Sequence, residues 1–427
     1  MRSAPKDGVR LLIGGALVNL CLGSLFAWSL FVAPLVETFD ASAATISTVF
    51  SGAVAVFATI VLVSGRAVDR WPPSRTVLLA AACGPLGLIV AARAPSLVWV
   101  VVGYSGLFGV ANGFGYASAV AVASRRFGPR RGLAVGVVVG AYAAGPLVAA
   151  PLITTVLARA DWRAAFIALA VVVAGALTIG AALLGAGERQ RAAGGDRPVE
   201  ARERSKDGEL RRRAAPPARR RLTGLLLWSA FLLGTLPAMM VVAHAAPIAR
   251  GAGLGAAASG FAVALVGAGN LIGRTGGGWL SDRTGRMPGL RAATVGLAAC
   301  CLLLPAARGT VAVLLLVTFA GAGYGVQSAL VPALTADLFG TERFAVIYGR
   351  VFTGWGVAGL AGPQIGARLS DRGDFGGALL AGAVAAVAAF ALHTWLGRTG
   401  AATTRGNHEV VAQSPGLRDE RQPPRDS

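Results

Sequence analysis

The sequence predicts an all-α membrane protein: twelve transmembrane helices in two pseudo-symmetric six-helix bundles. Three observations carry that prediction. Hydrophobic residues make up 55% of the 427 and charged residues only 14%, with a mean hydropathy of +0.63, whereas soluble domains carry about 25% charged residues. The apolar residues fall into long runs, and about 20 residues of helix cross a bilayer core. Two short motifs also recur at nearly one offset in the two halves of the chain.

The runs, in order, are Leu11–Val36, Ala44–Val68, Val77–Ala92, Leu97–Ala123, Gly132–Leu157 and Ala164–Gly185, then Leu222–Ala246, Ala256–Leu280, Ala292–Ala306, Val311–Leu334, Phe344–Leu369 and Phe375–Leu396. They are numbered below as segments 1 to 12. Helix is expected in each because a backbone in lipid must satisfy its own hydrogen bonds. The 59 glycines are about twice the usual share, as suits closely packed membrane helices. Segments 3 and 9 are the shortest.

The composition excludes an ordinary cytosolic enzyme, a disordered chain and a disulfide scaffold. Cys21, Cys83, Cys300 and Cys301 all sit inside apolar runs without ligand spacing to a histidine, so no metal and no cofactor is expected. The net charge of +20 comes mostly from arginines in short loops, which reads as a membrane-anchored topology and not as a nucleic-acid surface. One face of the twelve-segment topology receives 31 Lys and Arg, the other 7. The positive-inside rule then places both termini and the central loop in the cytoplasm, in the cell membrane. The domain reading is residues 1–187 as one bundle, 188–221 as a charged linker, 222–397 as the second bundle and 398–427 as a disordered tail.

The repeat is explicit. Gly65, Asp69 and Arg70 close segment 2, and Gly278, Asp282 and Arg283 close segment 8, with Asp282 lying 213 positions after Asp69. Phe127-Gly-Pro-Arg-Arg131 and Phe339-Gly-Thr-Glu-Arg343 open segments 5 and 11 at an offset of 212. A parallel repeat of this kind places a substrate site near the midplane between the halves. Gly278 to Arg286, through Gly285, gives the full Gly-x-x-x-Asp-Arg-x-Gly-Arg pattern, whereas the first copy reaches Arg75 through Trp71-Pro-Pro-Ser. This doubled motif resembles that of the major facilitator superfamily. The resemblance implies that Asp69 meets the N-terminus of segment 11, and Asp282 that of segment 5, while the cytoplasmic side is closed; free N–H groups and the helix dipole favour a carboxylate there.

A narrower resemblance rests on Gly14–Leu35, Gly109–Pro146, Asn270-Leu-Ile-Gly-Arg274 and Tyr348 to Gly356. These stretches are similar to the oxalate:formate antiporter family, whose relatives include monocarboxylate transporters. Arg274 lies eight residues before Asp282, hence about 12 Å above the helix end and near the midplane, where an arginine costs roughly 2.5–3.5 kcal/mol. No Asp or Glu falls in the membrane interior. The resemblance implies that Arg274 receives the substrate carboxylate; the alternative is a structural arginine bonded to backbone carbonyls. Asn270, one turn away, is either its partner or a helix-packing residue, and it cannot be protonated.

Where the oxalate transporter has a lysine, this chain has Trp355, either a cavity residue or a core filler. One cation instead of two fits a monocarboxylate better than oxalate. Tyr116, Tyr142 and Tyr324 stand at the depth of the family's aromatic box, each with core packing as the alternative. The expectation is therefore a non-enzymatic secondary transporter, active by alternating access, of a small monocarboxylate such as lactate, pyruvate or formate. The alternative is an exporter of a drug-like or amphipathic compound. The expected partners are a small organic anion, a proton or counter-anion and the bilayer, with no nucleic acid and a monomeric state.

Overall fold

The computed structural model describes residues 6–193, 217–371 and 375–412, and those residues contain helix and no strand. Segment 1 is α1 (Lys6–Leu22), a 3-10 stretch (Gly23–Ala27) and α2 (Ser29–Phe39); segment 2 is α3 (Ala43–Val63) followed by α4 (Gly65–Arg70). Segment 3 is α5 (Pro73–Ala92), and segment 4 joins α6 (Leu97–Val100) and a π-helical stretch (Val101–Phe108) to α7 (Gly109–Arg126). Segments 5 and 6 are α8 (Arg131–Arg159) and α9 (Trp162–Ala193). Segments 7 to 9 are α10 (Pro217–Gly251), α11 (Ala256–Thr284) and α12 (Arg286–Leu303). Segments 10 to 12 are α13 (Thr310–Phe339), α14 (Phe344–Asp371) and α15 (Phe375–Ala412).

Every expected segment is present, and the local chemistry explains the ends. Ser42 caps α3 by accepting the Thr45 N–H at 3.1 Å, which satisfies one of the free donors of a helix start. Pro73 opens α5, where its missing N–H costs nothing. Gly285, at φ +86°, separates α11 from α12, a backbone conformation that glycine adopts freely. Among the described residues, ten helices are long and apolar enough to cross a membrane on length and composition, and Thr48–Val63 of segment 2 is a shorter apolar helix. Segment 8 carries Asn270 and Arg274 in its course, which lowers its hydropathy.

The charged stretch read as a linker at 188–221 is shorter in the structure, because α9 runs to Ala193 and α10 starts at Pro217. The rest of that stretch, 194–216, lies outside the described residues. Likewise α15 continues to Ala412, past the boundary expected at 398. Helical continuation there follows from a run without proline from Phe375 to Ala412; residues 413–427 are not among those described.

The halves meet along two crossed pairs, segment 5 with segment 8 and segment 2 with segment 11. Both seams are built from glycine against backbone. A Cβ on Gly349 would lie 2.5 Å from the Val61 carbonyl oxygen, and one on Gly65 would lie 2.7 Å from Val346 Cα. In the other seam, a Cβ on Gly136 or Gly278 would overlap the carbonyl oxygens of Arg274 or Gly132. Gly136 and Gly349 are 213 positions apart, as are Val61 and Arg274, so the two seams are one structure repeated. Such close approach is what small residues permit in membrane bundles.

A candidate anion cavity above a closed gate

The candidate gate is assembled from the repeat upward. Asp69, in the last turn of α4, accepts the Ala345 and Val346 N–H groups at 2.9 and 3.0 Å. Asp282, near the end of α11, accepts the Gly132 and Leu133 N–H groups at 2.8 Å each. Each carboxylate thus fills the free donors at the start of a helix in the opposite half, segment 11 for Asp69 and segment 5 for Asp282. Of the remaining motif residues, Gly65 and Gly278 make the backbone contacts described above, and Gly285 makes the turn that brings Arg286 back to Asp282 at 2.6 Å. Arg286 also bonds Ser281 at 2.7 Å and Asp337 at 3.0 Å, and Asp337 pairs in turn with Arg131 of the first half.

Other expected members stand apart. Arg70 and Arg75 are exposed, and the cation beside Asp69 is Arg125, from the end of α7. Arg283 lies over the Trp279 ring at 3.7 Å, outside the Asp282 cluster. Arg125 was not singled out from the sequence, although the repeat contained the signal: it stands 212 positions before Asp337. Those two equivalent sites carry opposite charges: Arg125 pairs with Asp69 of its own half, whereas Asp337 pairs both with Arg286 of its own half and with Arg131 of the other.

Above the gate, a cavity with about 300 Å³ of open space, its mouth included, is lined by Arg274, Tyr116, Tyr142, Tyr324, Trp355 and Phe57, among others. Five of the six residues expected at the substrate therefore share one cavity. The sixth, Asn270, supports the site from behind, its Oδ1 accepting Arg274 Nε at 2.8 Å. Arg274 is 5% exposed and also donates Nη1 to the Val139 carbonyl of segment 5 at 2.7 Å. Its guanidinium lies 5.4 Å from the Tyr324 ring centroid.

Both sequence readings of Arg274 thus find something. It is held by a backbone carbonyl, yet its Nη2 makes no hydrogen bond to a described residue. It is the sole charged residue on the cavity wall described here.

Apart from Ser328, the wall is otherwise aromatic. Phe57 lies 5.3 Å from Tyr116, 5.4 Å from Phe352 and 5.8 Å from Trp355 between centroids, and Phe352 stacks on Trp355 at 4.8 Å and 17°. Phe57 and Phe352 were not anticipated; in an apolar run a phenylalanine carries no periodic signal that separates cavity wall from core. The repeat holds the ring positions. Tyr142 donates to Asn112 Oδ1 at 2.7 Å, and Trp355, 213 positions later, donates Nε1 to Tyr324 Oη at 2.8 Å. Asn112 and Tyr324 are themselves 212 apart, so equivalent bonds tie segment 4 to 5 and segment 10 to 11.

The close contacts between the halves fall on the gate side of this cavity. Farther from the gate, a Cβ on Gly267 of segment 8 or Gly359 of segment 11 would have no neighbour within 4 Å. The contacts at Asp69, Asp282 and the glycine seams close the cavity toward the Arg-rich face.

The family model described as Major Facilitator Superfamily matches residues 12–363. The chain is 28% identical over 386 residues to the oxalate:formate antiporter of Oxalobacter formigenes, covering 89% of this chain and 90% of that protein. It is also 28% identical over 389 residues to monocarboxylate transporter 11 of Mus musculus, covering 86% of this chain and 81% of that one. Among solved structures, a bacterial homologue of the iron transporter ferroportin in outward-facing state aligns with a TM-score of 0.68 at 15% identity, covering 92% of this chain and all of that one. The sugar-symporter fold of XylE aligns at 0.64 and 13% identity, over 91% of this chain and 94% of that one. With the repeated gate, the crossed seams and a family match over most of its length, the chain belongs to the Major Facilitator Superfamily and is a multi-pass membrane transporter.

Proposed function

We propose that the protein is a secondary active transporter of a small monocarboxylate, working by alternating access in the cell membrane with its Arg-rich face in the cytoplasm. The observation that carries this is Arg274: a buried cation with an open Nη2, in a cavity whose other lining residues described here are uncharged. A cation at that depth persists where a counter-anion or water meets it, and a guanidinium binds carboxylate through parallel N–H groups. One cation balances one carboxylate, which disfavours a dianion such as oxalate and disfavours a cationic drug more strongly. Asn270 and the Val139 carbonyl hold the fork in place, so little side-chain freedom is lost when the anion arrives.

In this reading Asp69 and Asp282 stabilise the state closed on the cytoplasmic side, and their contacts must part for the substrate to leave that way. The test is carboxylate binding to purified wild type, Arg274→Lys and Arg274→Ala. A charge-assisted hydrogen bond contributes about 1.5–3 kcal/mol, so Arg274→Ala should bind at least about tenfold more weakly. Arg274→Lys keeps the charge without the planar fork and should fall between. Unchanged binding by Arg274→Ala would place the anion site elsewhere.

A further inference from the structure

Resting on the monocarboxylate reading, we infer that the substrate carries a flat apolar body, of the arylcarboxylate class, in place of the small hydrophilic acids that the family resemblance implies. Three features of the cavity lead there: its hydrogen-bond inventory, its shape and its charge.

Most of the cavity's hydroxyls are already engaged. Tyr142 donates to Asn112 at 2.7 Å, Tyr324 accepts from Trp355 at 2.8 Å, and Ser328 donates to the Tyr324 carbonyl at 3.0 Å. Tyr116 faces Tyr348 across 3.4 Å between hydroxyl oxygens. An α-hydroxyl such as that of lactate would be desolvated among groups committed to one another, and an unmatched polar group disfavours binding. The open donors are Arg274 Nη2, the Tyr324 hydroxyl and whichever of Tyr116 and Tyr348 accepts from the other, and the first two suit a carboxylate.

The rest of the wall is ring. Phe352 and Trp355 form a nearly parallel pair, with Phe57 set at 52° to the first and 62° to the second. Tyr116 and Tyr142 meet at 78°. Such faces and edges receive another ring in the offset or edge-on arrangements that aromatic groups prefer. Formate or acetate would fill the carboxylate end and leave the rings facing water.

The experiment measures binding of benzoate, phenylacetate, acetate, lactate, oxalate and benzyl alcohol to the purified full-length protein, with Arg274→Ala beside it. Benzoate or phenylacetate should bind at least about tenfold tighter than acetate or lactate, because burial of the ring alone contributes that much. Phe352→Leu should weaken benzoate several-fold and leave acetate nearly unchanged. If lactate or acetate binds as tightly as benzoate and still depends on Arg274, the arylcarboxylate inference is overturned while the monocarboxylate reading stands. Equal losses for benzoate and acetate in Phe352→Leu also overturn it. If benzyl alcohol competes as well as benzoate, or Arg274→Ala binds benzoate normally, the monocarboxylate reading beneath it fails too. The panel on wild type alone decides the class, so a poorly folding variant does not blunt the test.

Discussion

Adding one methyl group at Gly349 should open the transporter on its Arg-rich face. The Cβ of Gly349→Ala would sit 2.5 Å from the Val61 carbonyl oxygen and 3.1 Å from Leu62 Cα. Non-bonded carbons settle near 3.5 Å, so segment 11 must retreat from segment 2 by roughly 1 Å. That retreat also stretches the bonds from Ala345 and Val346 to Asp69, now 2.9 and 3.0 Å. Overpacking of this kind costs about 1–3 kcal/mol. The clash exists only while the seam is closed, so the penalty falls on one state and shifts the equilibrium about 5- to 150-fold. A cysteine in place of Tyr348, which is 1% exposed between the halves, reports the change through its rate of labelling by a polar maleimide. The rate should rise in Gly349→Ala and in Gly136→Ala, the equivalent residue of the other seam. Gly359→Ala, with nothing within 4 Å of its Cβ, should leave it unchanged. Unaltered labelling in Gly349→Ala, or an equal rise in Gly359→Ala, would refute the seam argument.

Further expectations follow from single contacts. Asp69→Asn removes the Arg125 ion pair and one of two carboxylate acceptors, so transport in liposomes should slow while affinity measured from the side opposite the Arg-rich face is kept; loss of binding instead would contradict a gating role. Gln327 is fully buried and neither amide atom has a hydrogen-bond partner among the described residues, with Gly234 against its side chain. In the other half the equivalent contact is Leu22 against Gly115, so Gln327→Leu should raise thermal stability by about 1–3 kcal/mol, and a lowered Tm would show that the amide has a role. Tyr142→Phe leaves Asn112 Oδ1 without its donor at 2.7 Å and should cost about 1–3 kcal/mol, read as a lower Tm.

The sequence by itself determined the architecture. Lipid leaves a backbone few choices, so the length and spacing of twelve apolar runs suffice to place the helices, and Phe344 and Phe375 begin their helices where the runs begin. The repeat was equally legible, because a duplicated unit keeps its offset, and the superfamily resemblance of its doubled motif implied that Asp69 and Asp282 meet helix starts of the opposite half. Arg274 was legible for an energetic reason, as the one midplane charge far from any acid.

What the sequence left open was how side chains from different segments share one space. Arg70, Arg75 and Arg125 are equivalent on paper, and only helix packing brings Arg125 to Asp69 and leaves the other two exposed. A phenylalanine in an apolar run is cavity wall, core or lipid surface according to which neighbours approach it. Tertiary structure alone put Phe57 and Phe352 against Trp355 and joined Arg274 to Val139 across the halves. Hydropathy fixes how deep a residue lies in the membrane because the bilayer varies along its normal; the direction a side chain faces within that plane is set by its neighbours, and those are known only once the helices have packed.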